Sequence, residues 1–340
     1  MRYIVIGAGA VGGTIGGRLF ESGHRVVLVA RGEHLEALRR DGLGLTTPDA
    51  GLRRLPVPAV GGPQELALGP EDVLLLAVKT QHSAELLAQW AGRPVAGGGT
   101  AGERLPLVCA QNGVENERLA LRRFRRVYGM CVWLPSTHLE PGQVAASGSP
   151  LSGVLHLGRY PAGLDDTAER ISADLAGSHF AAPVRADVMG WKYAKLLSNL
   201  GNALEAVGGP IEGELRLALL DRLGAEGAAV LAAAGIGYPD EAEQRAERGD
   251  RVRLVPMPGT TRGGGSSWQS LARGTGDIEA DHLTGEVVLL GRLHGVPTPV
   301  NGALQRLANA FAAEGREPGS LPERELAALL EPSALPRALR

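Results

Sequence analysis

The sequence predicts an α/β protein in two parts, a doubly wound parallel sheet followed by a C-terminal all-helical domain. Short β-branched runs alternate with helical patterns through the first half, as expected of βαβ units. From Val188 onward, long helical segments replace that alternation. A length of 340 residues with 44% apolar content also exceeds what one hydrophobic core usually organises and suits two.

The elements follow in order. A strand over 2–6 leads into a helix over 11–21 that Ser22-Gly23 ends, and a second strand over 25–29 precedes a helix over 33–40. Residues 43–60 alternate around Pro48-Asp49-Ala50-Gly51, which reads as a hairpin. The continuous apolar run 72–78 fits a strand buried on both faces, followed by a helix over 83–90. Gly97-Gly98-Gly99 reads as a loop before a strand over 105–110, with further strands expected over 126–133, 153–157 and 183–185. Helices are expected over 188–207, 215–234, 266–272, 278–293 and 301–313, with a loose connection over 239–265. A short helix over 323–330 precedes a Pro-interrupted basic tail, expected to be flexible. The domains expected are therefore 1–185, 186–313 and a terminal 314–340.

Composition excludes several classes. Nearly balanced acids and bases leave a net charge of −2, against a nucleic-acid protein with its basic excess. The local cluster Arg122, Arg123, Arg125 and Arg126 reads as a solvated face. Two cysteines, Cys109 and Cys131, supply neither a disulfide framework nor a thiolate metal site. None of the eight histidines pairs at i, i+4 spacing, so no metal site is expected. The first residues run straight into a strand, and no apolar run is long enough to span a bilayer. A soluble, cytoplasmic protein without a membrane partner is expected. The apolar helices of the second half fit a homodimer interface and equally fit that domain's own core.

Gly7-Ala8-Gly9-Ala10-Val11-Gly12 sits between a strand and a helix. Glycines at this spacing permit a tight turn, close backbone approach to a pyrophosphate and close helix–sheet packing. The helix N-terminus then faces the phosphates, as in a Rossmann-type domain. Beyond the second strand, Val29-Ala30-Arg31 offers no carboxylate for a ribose 2′-hydroxyl. A guanidinium there suits a 2′-phosphate, so the cofactor expected is NADPH/NADP+. Lys79 and Asn112 follow the strands over 72–78 and 105–110, at the carboxyl edge where open α/β sheets bind ligands.

Reducing a carbonyl with hydride leaves an alkoxide that needs a proton donor. Lys192, Lys195, Asn199 and Asn202 share one helical face of an otherwise apolar segment. Such a stripe is costly to bury unless it lines a polar site. A solvated face with snorkelling lysines is the alternative. Ser266-Ser267 opens a later helix, where serine is often only a cap, and Glu279 follows in the next one.

Gly7–Gly13, Val78-Lys79-Thr80, Gln111-Asn112-Gly113, Lys195-Leu196-Leu197-Ser198-Asn199 and Ser266-Ser267 to Glu279-Ala280-Asp281 occur in the order found in ketopantoate reductases. From Met1 to about Ala313 the chain resembles that family. The resemblance implies NADPH-dependent reduction of a small-molecule 2-oxo acid, 2-dehydropantoate by default, in pantothenate biosynthesis. It implies that Lys195 protonates the alkoxide and that Glu279 holds the substrate hydroxyl and positions Lys195. It further implies that Asn112, Asn199 and Ser267 hydrogen-bond substrate or nicotinamide, with Asn202 beside them, and that Arg31 and Lys79 serve the cofactor. The chain departs from the family pattern at Ala203, where a second Asn is common, at Leu204, where Pro is common, and at Trp268, where Met is usual. These departures leave a paralogue reducing another 2-oxo acid or carbonyl as the alternative, ahead of a β-hydroxyacid dehydrogenase and a catalytically silent NADPH sensor.

Overall fold

The computed structural model describes residues 1–138, 140–256, 264–274 and 276–330. The chain divides into two compact units, Met1–Lys192 with Pro239–Thr261 and Tyr193–Tyr238 with Arg262–Arg340.

The first unit is built on an eight-stranded sheet. Its strands are β1 (Arg2–Ile6), β2 (Arg25–Val29), β3 (Ala59–Val60), β4 (Asp72–Leu76), β5 (Pro106–Cys109), β6 (Arg126–Trp133), β7 (Gly153–Arg159) and β8 (Phe180–Ala181). Their spatial order is β8-β7-β6-β5-β4-β1-β2-β3. All neighbours run parallel except β6 and β7. Alternate side chains enter opposite cores: Tyr3 and Val5 pack on one face, Ile4 and Ile6 on the other. Burial on both faces explains the unbroken apolar runs. The order reverses between β1 and β4, which places the topological switch point at their carboxyl ends. Helices α1 (Ala10–Glu21) and α2 (Gly32–Asp41) follow β1 and β2.

The expected hairpin forms from Leu43–Thr47 and Gly51–Leu55. It joins Gln143–Ala146 and Ser136–Thr137 in a separate four-stranded sheet that the local pattern did not reveal. Residues 183–185 make only one bridge, Leu157 to Val184, because Phe180–Ala181 takes the edge position. The helix Asp166–Ala176 before it was not anticipated.

The expected loose connection over 239–265 is corrected. Asp240 and Glu243 form a capping box at the start of the helix Glu241–Arg248, and Val252–Leu254 pairs antiparallel with Gly148–Pro150. That pairing ties the segment to the first unit. The helix buries no residue, so no apolar period announces it. Residues 257–263 of this connection lie outside the described residues. The division between units falls within the helix Val188–Asn199, after Lys192, rather than near 185.

The second unit packs the helices Gly201–Gly208, Glu214–Ala233, Ser266–Ala272, Thr284–His294 and Pro299–Glu314 around Leu204, Leu223, Val230, Val287, Leu304 and Phe311. The apolar faces of these helices thus supply the unit's own core, while Leu217, Leu289 and Leu293 stay exposed. The helix expected over 188–207 is interrupted at Leu200, whose φ and ψ (−60°, −32°) remain helical. The helix expected over 278–293 starts only at Thr284. Leu283, at φ −115° and ψ −88°, breaks it, and Ala280–His282 forms a separate 3₁₀ turn. The short terminal helix, Glu323–Ala327, buries Leu326 in this core. The tail over 331–340 lies outside the described residues. No helix among the described residues is long and apolar enough to cross a membrane.

Candidate active site

The first unit holds the residues predicted for the cofactor. Gly7 turns at φ +100°, and a Cβ there would lie 2.6 Å from Val78 Cγ1, so the turns after β1 and β4 abut at the switch point. A Cβ on Gly12 would stand 2.0 Å from the Gly7 carbonyl oxygen, which only glycine avoids. At Gly9, the N-cap of α1, a Cβ would meet no atom within 4 Å. Open space therefore lies against a backbone turn at a helix N-terminus, a fit for a pyrophosphate. Ala8 is buried, while Ala10 and Val11 are half-buried in the first turn of α1. Arg31 is the extended N-cap of α2 (φ −140°, ψ 162°) and is exposed. Its side chain makes no ion pair or hydrogen bond among the described residues. A guanidinium with its donors uncommitted suits a phosphate.

Lys79 and Asn112, both half-buried, stand on loops beyond β4 and β5. A buried network ties these loops together. The Gln111 amide donates to the Val78 carbonyl at 2.8 Å and to Ser83 Oγ at 2.9 Å. Asn116 Nδ2 donates to Thr80 Oγ1 at 3.0 Å and to the Asn112 carbonyl at 3.4 Å. Beneath it, the Lys192 ammonium pairs with Glu117 and donates to the Gln111 carbonyl at 3.1 Å. Both members of that pair are essentially buried, with side chains 2% and 0% exposed. Burial pushes the Glu117 carboxyl above its ordinary range, opposed by the Lys192 ammonium. Lys192 is thus committed to a buried ion pair within the first unit. Glu117 and Asn116 carried no local signal, because their partners lie 75 and 36 residues away.

The second unit holds the other predicted residues. Lys195 and Asn199 sit one helical turn apart on Val188–Asn199, the lysine half-buried and the asparagine buried. Asn199 Nδ2 has no hydrogen-bond partner among the described residues. Asn202, on the next helix, is brought to the serine pair, with Nδ2 3.4 Å from Ser266 Oγ. Glu205, one turn further on, accepts from the Gly265 N–H at 2.7 Å and so caps the helix that buries Ser267. Its i+3 spacing from Asn202 was the available clue to this residue. Glu279 is half-buried and precedes the 3₁₀ turn instead of lying in a helix. Ala203 and Leu204 belong to the unit's core, and Trp268 packs against it.

Family models match both parts of the chain: "Ketopantoate reductase PanE/ApbA" over residues 3–162 and its C-terminal counterpart over 187–312. A 2-dehydropantoate 2-reductase of Mesorhizobium japonicum is 29% identical over 345 residues, covering 92% of this chain and 98% of its own. A PanE/ApbA family ketopantoate reductase from Ralstonia eutropha superposes with a TM-score of 0.76 at 28% identity, covering 93% of this chain and 99% of that one. A D-mandelate dehydrogenase solved with NADH and anilino(oxo)acetate reaches 0.77 at 22% identity, over 93% of this chain and 99% of its own, and shows the shared fold alone. Sheet, glycine turn and helical unit define an oxidoreductase that works with a nicotinamide dinucleotide on a CH–OH group. The chain belongs to the ketopantoate reductase family.

Proposed function

We propose that this protein reduces a 2-oxo acid to the 2-hydroxy acid with NADPH, and that 2-dehydropantoate is its substrate, which places it in pantothenate biosynthesis. The observation that carries the reading is the buried Nδ2 of Asn199, without a hydrogen-bond partner among the described residues, one helical turn from Lys195. A buried donor left unmade is costly, and a substrate oxygen would satisfy it. The curated relatives named 2-dehydropantoate 2-reductase support the substrate.

The glycine turn and α1 N-terminus would hold the pyrophosphate, Arg31 the 2′-phosphate, and Lys79 and Asn112 the remainder of the dinucleotide. Bound there, the cofactor supplies the hydride. Lys195 donates a proton from its ammonium to the alkoxide oxygen that forms at the former carbonyl. Glu279 accepts from the substrate hydroxyl and orients Lys195. Asn199, Asn202 and Ser267 hydrogen-bond the substrate's polar groups. A second reading, a family paralogue acting on another 2-oxo acid, draws on Trp268, a bulky ring following the serine pair.

NADPH oxidation against a panel of 2-oxo acids tests both readings. Highest kcat/KM with 2-dehydropantoate supports the first. Preference for a phenyl-substituted 2-oxo acid supports the second, and no turnover of any member overturns both.

A further inference from the structure

His34 lies three residues beyond Arg31 in the first turn of α2, and both of its ring nitrogens are engaged. The Gly142 backbone N–H donates to Nδ1 at 2.8 Å, and Nε2 stands 2.9 Å from the Ala8 carbonyl oxygen. An amide N–H only donates and a carbonyl only accepts, so the ring proton sits on Nε2 and is given to Ala8. Burial keeps the ring neutral by lowering its pKa. Gly142 is itself held: it turns at φ +77°, and a Cβ there would lie 2.9 Å from Ala37 Cβ on the same α2. The His138 ring packs on His34 with centroids 4.4 Å apart, and its Nδ1 donates to the Gln143 carbonyl at 2.9 Å.

Ala8 stands between Gly7 and Gly9 and has no polar side chain with which to fix the turn. Its carbonyl shares one rigid peptide plane with the Gly9 N–H, and in a trans peptide the two point in opposite directions. Drawing the Ala8 oxygen toward His34 therefore turns the Gly9 N–H away from His34. We propose that His34 is a positioning residue for the dinucleotide, orienting the Gly9 N–H toward the pyrophosphate and tying the glycine turn to the helix that Arg31 caps. This rests on the glycine turn being the dinucleotide site.

NADPH binding by fluorescence titration of the parent, His34→Gln, His34→Asn and His34→Ala tests it. Glutamine can place an amide donor near the position of Nε2, whereas asparagine reaches only the position of Nδ1. His34→Gln is expected to bind within about threefold of the parent, and the other two roughly five- to tenfold more weakly, the loss of one hydrogen bond. At saturating NADPH, kcat and the KM for the 2-oxo acid should be unchanged. Asparagine binding as tightly as glutamine would overturn the proposal. So would losses in kcat and melting temperature that run parallel to the loss in binding. A parent that binds no NADPH would instead overturn the cofactor reading, and this inference with it.

Discussion

Replacing Lys192 by Met should destabilise the first unit strongly while sparing proton transfer. The ammonium touches Glu117 and the Gln111 carbonyl, and neither charged side chain reaches solvent. Glu117 Oε2 already lacks a hydrogen-bond partner among the described residues, so Lys192 is the main compensation for the carboxylate. Removing one member of a buried pair costs about 3–5 kcal/mol, because the other charge stays desolvated. For a unit of this size that lowers the melting temperature by on the order of 10 °C. The deficit should depend on pH. Without its cation, Glu117 has a folded-state pKa raised by burial, so the folded variant holds its proton more tightly than the unfolded chain. Stability is then lost as pH rises from the ordinary carboxylate range through that raised value. The assay is thermal unfolding of Lys192→Met, Glu117→Met and the double variant at pH 5 and pH 8. The double variant should recover much of the loss, since apolar replacement of a buried pair is often neutral. A single variant within about 1 kcal/mol of the parent at pH 8 would refute the reasoning. A hundredfold fall in kcat below the variant's melting temperature would return Lys192 to the chemistry.

Two further outcomes follow from the first unit. His156 is fully buried, stacks on Trp191 at 4.1 Å and has no hydrogen-bond partner for either ring nitrogen among the described residues. Burial lowers its pKa to about 4, so stability is lost as pH falls from about 6.5 toward 4, by about 3 kcal/mol in all. His156→Leu should remove that component, and denaturant unfolding at pH 5 and 7.5 would reveal an unchanged pH dependence if the assignment is wrong. Arg31→Ala should lower kcat/KM for NADPH roughly ten- to a hundredfold, the loss of charged hydrogen bonds, with little effect on NADH. Equal effects on the two cofactors would deny it the 2′-phosphate.

The parts legible in the sequence were those with a local cause. Period-two burial on both sheet faces wrote the apolar runs of β1, β4 and β5, and the packing limit at Gly12 required its glycine. The stripe from Lys192 to Asn202 was legible as a helical face but not as two destinations. A partner at Glu117, 75 residues away, commits Lys192, and the interruption at Leu200 puts Asn202 on the next helix beside Ser266. Glu241–Arg248 was missed because it buries nothing, and Gln143–Ala146 because its partner strand is Leu43–Thr47, far away in the chain. Ala203 and Leu204, which stood out as departures from the family pattern, lie in the core of the second unit. His34 gave no signal because its meaning depends on two backbone groups, at Ala8 and Gly142.

The central claim is that Lys195 supplies the proton as a 2-oxo acid is reduced by NADPH. Single-turnover NADPH oxidation with saturating 2-dehydropantoate, compared between the parent and Lys195→Ala, measures that step. The account predicts rapid oxidation by the parent and a rate at least about a hundredfold lower in the variant. Equal rates in the two proteins would contradict it.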